Sequence, residues 1–266
     1  MIRAGSTAPE VPAPHGLLAG RCVVVTAAAG SGIGGATARR VLEEGAEGVV
    51  IGDTHERRLA ESTRALAEEF GAARVHAVRC DVTVEEEVGA LLDACTARHG
   101  RIDVLVNNAG LGGTAELVEM TDEQWSRVLD VTLGGTFRCT RAALRAMRGQ
   151  RDGGVIVNNA SVVGWRAQRG QAHYAAAKAG VMALTRCAAL EGAELGVRVN
   201  AVAPSLAMHP NLVKVTTPEL LAELTAKEAF GRYAEPWEVA NVIVFLASDY
   251  SSYMTGETVA VSSRHP

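Results

Sequence analysis

Cys22-Val-Val-Val-Thr26-Ala-Ala-Ala-Gly30-Ser-Gly32-Ile-Gly34-Gly35-Ala-Thr-Ala38 decides the fold. Its first five residues form a short β-branched run without polar alternation, the pattern of a strand covered on both faces. A glycine-rich turn follows, and then alanine-rich chain of helical composition. A strand that runs through glycines into a helix brings backbone N–H groups and the helix's positive end to one point, where a pyrophosphate can bind. Ala28, Gly30, Gly32, Ile33 and Gly34 are the turn residues expected against that anion. About twenty residues further on, Asp53 ends the second β-branched run, at the spacing of a ribose-binding carboxylate. A carboxylate there accepts from both ribose hydroxyls and repels a 2′-phosphate, which favours NAD(H) over NADP(H). Arg39, Arg40, Arg57 and Arg58 lie nearby and read as solvated helix faces.

Working outward, similar runs recur at Val49–Ile51, Arg74–Arg79, Ile102–Asn107, Val155–Asn158, Val197–Val202 and Thr258–Val261. Counting from Cys22–Thr26, helix-length segments separate the first six of these seven runs, which predicts right-handed βαβ crossovers and a doubly wound parallel α/β sheet. The 266 residues, 48% of them hydrophobic, suffice for one large core, so a single domain is expected over residues 17–266. Residues 1–16 carry Pro9, Pro12 and Pro14 with little periodic hydrophobicity, and read as a flexible tail. A net charge of -4 gives no footprint for nucleic acid or an anionic membrane, and a small-molecule partner fits better. No apolar run approaches a membrane span and no leader pattern opens the chain, so a cytoplasmic protein is expected. Cys22, Cys80, Cys95, Cys139 and Cys187 are scattered without metal-ligand spacing and read as reduced thiols, with no metal expected.

A second stretch carries the chemistry: Ser161-Val-Val-Gly-Trp165-Arg-Ala-Gln168-Arg-Gly-Gln-Ala-His173-Tyr174-Ala-Ala-Ala-Lys178. Its alanine-rich end is helical in composition, and residues four apart on a helix emerge on one face, so Tyr174 and Lys178 share a face. At about 4 Å and an effective dielectric near 20, an ammonium favours a neighbouring phenolate by roughly 4 kcal/mol before desolvation subtracts its share. Such a phenol can work as an acid or base near neutrality. His173 points off that face by helix geometry and reads as a polar surface residue.

These motifs resemble the short-chain dehydrogenase/reductase family over nearly the whole chain after the tail, which implies a Rossmann fold. The family's opening Thr-Gly-x-x-x-Gly-x-Gly falls on Ala27, Ala28, Gly32 and Gly34, with alanine at both leading positions, while GSGIGG also fits Gly-x-Gly-x-x-Gly by itself. Asp81-Val82 matches the pair that packs on adenine, and Asn107-Asn108-Ala109-Gly110 matches the Asn-Asn-Ala-Gly after the fourth strand. Ser161, Tyr174 and Lys178 match the catalytic set. The resemblance implies that Asn108, Ala109, Gly110, Tyr174, Lys178 and Pro204 also line the cofactor site. It implies too that Ser161 and Tyr174 bind the reacting oxygen, Tyr174 moves the proton and Lys178 holds the nicotinamide ribose.

Three positions depart from the family. Thr132 stands where an asparagine holds a water of the proton relay. Pro204-Ser205 replaces Pro-Gly and lacks the threonine four residues later, and Val261-Ser-Ser263 replaces Val-Asp-Gly at the C-terminus. Substrate contacts are expected from Trp165, Gln168 and His209, with Leu111 and Gly112 nearby, and from a loop over about residues 206–233. The runs VVVTAAAGSGIG, THERRL, VNNASVVGWRAQ and AEPWEVA look like actinobacterial members that break down steroid C and D rings, acting on a hydroxyl or ketone of a bicyclic acyl-CoA fragment. Two alternatives are a 3-oxoacyl-thioester reductase and a non-catalytic dinucleotide-binding scaffold. The family also implies a homodimer through Trp125–Met147 and the helix from Ala172, or a tetramer that adds Pro236–Ser248 and the final strand.

Overall fold

The structure, a computed structural model, describes residues 7–208 and 218–263. Seven parallel strands form one sheet in the order β3-β2-β1-β4-β5-β6-β7. They are β1 Cys22–Thr26, β2 Gly48–Asp53, β3 Val75–Arg79, β4 Val104–Asn107, β5 Gly154–Asn159, β6 Val197–Pro204 and β7 Thr258–Val261. The helices described are α1 Ile33–Glu43, α2 Glu56–Phe70, α3 Glu85–His99, α4 Asp122–Leu129, α5 Gly135–Met147, α6 Ala172–Ala193, α7 Pro218–Ala226 and α8 Pro236–Ala247. Each run expected to be a strand is one, with ends shifted by a few residues; Arg74, for example, closes a short 3-10 turn before β3.

Two apolar layers explain why the strands are valine-rich without alternation. Val23, Val25, Val49 and Ile51 face a layer that includes α1, α2 and α8 through Val41, Leu59 and Ile243. Val24, Val50, Leu105 and Ile156 face the other layer, which includes α3 and α5 through Leu91, Leu92, Ala143 and Met147. A strand buried on both faces has no solvent side for polar residues. The sheet order reverses between β1 and β4, and at that switch point the loops leaving the strands part to form a crevice.

The segment read as a flexible tail is anchored in its second half. Arg40 donates to the carbonyls of Pro12 (2.9 Å) and Ala13 (3.4 Å), and Glu44 accepts from the backbone N–H groups of His15 (2.9 Å) and Leu17 (3.0 Å). Arg40 and Glu44 pair with each other at 2.7 Å, both buried. A charge pair carried into the interior must be satisfied, and the extended chain satisfies it. Arg40 is therefore no solvated surface residue, and the tail's prolines suit a segment that offers carbonyls. Arg39 pairs with Glu43 and Glu69, so the helix face expected there is a salt-bridged one.

Candidate active site

The strand-turn-helix of Cys22–Glu43 closes around contacts that exclude side chains. A Cβ on Gly34 would lie 2.3 Å from the Ala27 carbonyl oxygen, and one on Gly35 would lie 1.8 Å from that of Gly30. Glycine is therefore required at both Gly34 and Gly35, whichever pattern frames the turn. Ala27 has φ 50, a left-handed conformation that favours glycine, so the backbone freedom is needed one residue before Ala28, where the motif's leading glycine was expected. Asp53 braces the turn from β2: its carboxylate accepts from Ala29 N–H (3.1 Å) and His55 N–H (2.9 Å). Each oxygen still has acceptor capacity, as a ribose ligand requires.

Across the switch point the Thr26 hydroxyl accepts from the N–H groups of Asn108 (3.0 Å) and Ala109 (3.1 Å). The Asn108 amide donates to Ala27 O (3.0 Å), and its oxygen accepts from Asn159 (2.9 Å). One side chain thus ties together the ends of β1, β4 and β5. Beneath it, Asn107 donates to Asn158 (2.9 Å) and Thr140 (3.0 Å), and Asn158 donates to Thr185 (2.9 Å). These buried bonds fasten α5 and α6 to the central strands. Asp81 sits at the crevice rim, accepting from the N–H and hydroxyl of Thr83, which hold its carboxyl below the usual range. Val82 is buried against Gly135.

The helix α6 delivers Tyr174 and Lys178 to the end of β5, where Ser161 stands. The Ser161 hydroxyl lies beside that of Tyr174 and lowers its pKa. Ser161 Oγ also donates to the Pro204 carbonyl (3.5 Å) and accepts from Val163 N–H (3.3 Å). Lys178, 3% exposed, donates from Nζ to the Asn159 carbonyl at 2.5 Å. Gly110 leaves room above it, since a Cβ there would come within 3.4 Å of Nζ. Gly112 packs beside the Tyr174 ring, where a Cβ would sit 3.8 Å from Cδ2.

The electrostatics correct one expectation. Part of Tyr174 is accessible, yet burial raises its phenol above the ordinary value and the Ser161 hydroxyl offsets only part of that. The ammonium lies 5.6 Å from the Tyr174 ring centroid and is committed to Asn159, so it does not pull the phenol down as the four-residue spacing predicted. Burial instead pushes Lys178 from 10.5 to about 8.

Thr132 lies in a π-helical turn, Asp130–Gly134, that interrupts the long α4–α5 segment. Its hydroxyl donates to Leu111 O (3.1 Å) and accepts from Leu111 N–H (3.0 Å), so no hydrogen is left to donate to a relay water. His173 is 2% exposed, against the surface position expected for it: its Nδ1 accepts from Tyr174 N–H (2.9 Å) and a Cβ on Gly113 would meet its Nε2 at 3.2 Å. That bond satisfies a first-turn N–H that the Gln171 side chain does not cap. Trp165 is exposed and Gln168 half-buried on the loop between Ser161 and α6, while His209 lies outside the described residues. Sequence reasoning missed Thr26 and Asn159. The signal was there, since two Asn-Asn pairs end adjacent central strands, where only a hydrogen-bonded polar residue is tolerated.

Comparison with known proteins agrees with this geometry. Residues 27–263 match the family model described as enoyl-(acyl carrier protein) reductase. A crystal structure of a short-chain dehydrogenase from Mycobacterium smegmatis superposes with a TM-score of 0.86 at 60% identity, covering 98% of this chain and 99% of that one. The chain belongs to the short-chain dehydrogenase/reductase family. It is an oxidoreductase that binds an NAD(P) dinucleotide and interconverts a secondary alcohol and a ketone. A Mycobacterium tuberculosis relative, (5R,7aS)-5-hydroxy-7a-methyl-1-oxo-2,3,5,6,7,7a-hexahydro-1H-indene-carboxyl-CoA reductase, is 64% identical over 261 residues, 98% of this chain and 99% of its own. Cis-4-hydroxycyclohexanecarboxylate dehydrogenase of Sinomonas cyclohexanicum is 46% identical over 242 residues, 91% of this chain and 94% of its own. Among the described residues no helix is long and apolar enough to cross a membrane.

The buried lysine makes a pH prediction. Between about pH 8 and 10.5 the unfolded chain holds the Lys178 proton and the folded chain has lost it, so folding stability rises with pH through this group. Urea unfolding of the wild type compared with Lys178→Met should show the wild type gaining relative stability across that window. A wild-type disadvantage that widens with pH contradicts the burial of this ammonium.

Proposed function

We propose that this protein is an NAD(H)-preferring reductase of a ring ketone on a fused alicyclic acyl-CoA thioester, or the corresponding alcohol dehydrogenase in reverse. The observation that carries the substrate is the 64% identity, end to end, with the hexahydroindene-carboxyl-CoA reductase. The cyclohexane-ring dehydrogenase among its relatives fits the same preference for a hydroxyl on an alicyclic ring.

The roles follow from the arrangement. The dinucleotide supplies or accepts the hydride at its nicotinamide. Ser161 and Tyr174 present two hydroxyls to the oxygen on which charge develops, and Tyr174, its phenol kept protonated by burial, gives up the proton there. Lys178 keeps ammonium hydrogens beyond the one given to Asn159, and these hold the nicotinamide ribose. Gly30, Gly32, Ile33 and Gly34 with Ala28 face the pyrophosphate, Asp53 takes the adenine ribose, and Asp81-Val82 flanks the adenine. Asn108, Ala109, Gly110 and Pro204 complete the cofactor wall, and Trp165 and Gln168 with the segment after Pro204 face the substrate. Thr132 acts here as the brace of Leu111 rather than as a relay donor. A non-catalytic scaffold has no need of this trio.

We place the protein in the cytoplasm, in keeping with its unpaired cysteines, and propose a homo-oligomer. Trp125, Phe137 and Leu190 expose apolar surface on α4, α5 and α6, which a copy of the same helices would cover. Light scattering at micromolar concentration should give at least twice the 27.8 kDa chain mass, and the single-chain mass contradicts this assembly.

Turnover tests the chemistry. Incubated with NADH and a panel of alicyclic ketones with and without CoA, the wild type should consume NADH fastest with a fused-ring CoA thioester. Tyr174→Phe should bind NADH normally and keep less than about a tenth of the wild-type kcat, a loss above about 1.4 kcal/mol. A higher residual rate removes Tyr174 from proton transfer. The ratio of kcat/KM for NADH to that for NADPH should narrow in Asp53→Ala, and an unchanged ratio means that the ribose is read elsewhere.

A further inference from the structure

Two of the positions that break the family's pattern meet at one carboxylate. Glu228, 6% exposed, accepts through Oε2 from the Ser205 hydroxyl (3.2 Å) and from the Ser263 hydroxyl (2.8 Å). Both serines stand where the resembled pattern has glycine, which has no side chain to donate. The three residues therefore form one unit: either serine alone leaves the carboxylate with fewer donors, and glycine at both removes them.

The unit sits at a mechanically significant place. Ser205 directly follows β6, whose last residue, Pro204, gives its carbonyl to Ser161, and Ser205 N–H donates to Val261 O of β7 (3.1 Å). The chain then leaves the sheet and returns at Ala234, and the neck of this excursion is closed by Met208 N–H to Ala234 O (3.0 Å) and Ala234 N–H to Leu206 O (2.8 Å). Glu228 lies inside the excursion just after α7, with its own backbone N–H on Thr225 O (3.1 Å) and its carbonyl accepting from Gly231 N–H (2.9 Å). Its side chain is thus a second tie, from the α7 end of the excursion back to the floor beside the catalytic serine.

We infer that Glu228 is a positioning residue for the substrate: through Ser205 and Ser263 it fixes α7 and residues 227–233 relative to Ser161. The inference rests on the reading that this excursion faces the substrate. A carboxylate suits the task because one oxygen accepts two hydroxyls, with charge-assisted bonds stronger than neutral ones. Losing the tie frees the wall on which a large alicyclic ring must align, while the glycine turn and Asp53 on the other side of the switch point are untouched. A looser wall loses apolar contact that the ring makes equally in the ground state and the transition state, so the signature is a rise in KM at a nearly constant kcat.

The test uses the full chain and two independent readouts. In steady-state turnover of the preferred ring ketone, Glu228→Ala should raise KM about tenfold, with kcat within about twofold and NADH binding unchanged, and Glu228→Gln, which keeps an acceptor oxygen, should recover most of the loss. In a Ser205→Gly/Ser263→Gly background, Glu228→Ala should add no further rise, because the tie is already gone. Amide hydrogen exchange, which needs no substrate, should quicken in residues 218–233 of Glu228→Ala and stay unchanged in β1, β4 and β5. An unchanged exchange pattern overturns the tie whatever the substrate proves to be. Unchanged KM with faster exchange, or the full Glu228→Ala effect in the double-glycine background, overturns its role in positioning. A wild type without turnover sinks the proposed substrate and leaves the exchange result to judge the tie.

Discussion

An ammonium buried beside a strand end is the constraint on which the site depends. Lys178 has almost no contact with solvent; its ammonium donates to the Asn159 carbonyl and lies 5.6 Å from the Tyr174 ring centroid. Burying an amine this way penalises its charged form, which is why its pKa falls to about 8. The protein tolerates that penalty because the position of the nitrogen is over-determined. Asn159 is held by Asn108, Asn108 by the β1 turn, and α6 by the Asn158–Thr185 bond. A cation fixed at the mouth of a crevice keeps donors in place without reorganisation, as the ribose-binding role proposed for it requires.

The sheet supplies the rest of the geometry. Only at the β1/β4 switch point do neighbouring loops diverge, so the glycine turn, Asp53, Asn108 and Ser161 reach one crevice from four different strand ends. Close backbone approach does the fine positioning. Gly34 and Gly35 let α1 start against the turn, and the loop after β4 runs beside Lys178 and Tyr174 at Gly110 and Gly112. The π-helical turn at Asp130–Gly134 places the Thr132 hydroxyl where it can pin Leu111 of that loop. Function here is a by-product of strand ends that must be satisfied, arranged so that some donors and acceptors remain for ligands.

Much of this was legible in the sequence, and the failures share a cause. The strands could be read because β-branched runs in a two-sided layer need no alternation, and the Tyr174–Lys178 face because helix geometry is local. What could not be read depends on neighbours distant in sequence. The phenol was expected to be drawn down by Lys178, but how far burial raises it is a property of the packed crevice. Pro12, Ala13 and His15 look like a loose proline-rich tail until Arg40 and Glu44 are seen to require their backbone groups. His173 looks peripheral until the loop at Gly113 closes over it. Ser205 and Ser263 look like unrelated losses of glycine until Glu228 joins them across the fold.

The central claim is that this crevice holds a ketone carbon open to hydride while Ser161 and Tyr174 manage its oxygen. The most direct measurement is isotopic. Reduction of the ring ketone in ordinary water with NADH deuterated at the transferring position of the nicotinamide should give an alcohol with deuterium on the carbinol carbon, and the same reaction with unlabelled NADH in heavy water should leave that carbon free of deuterium. Deuterium entering the carbinol carbon from heavy water, or an alcohol formed from the labelled cofactor without it, contradicts the account.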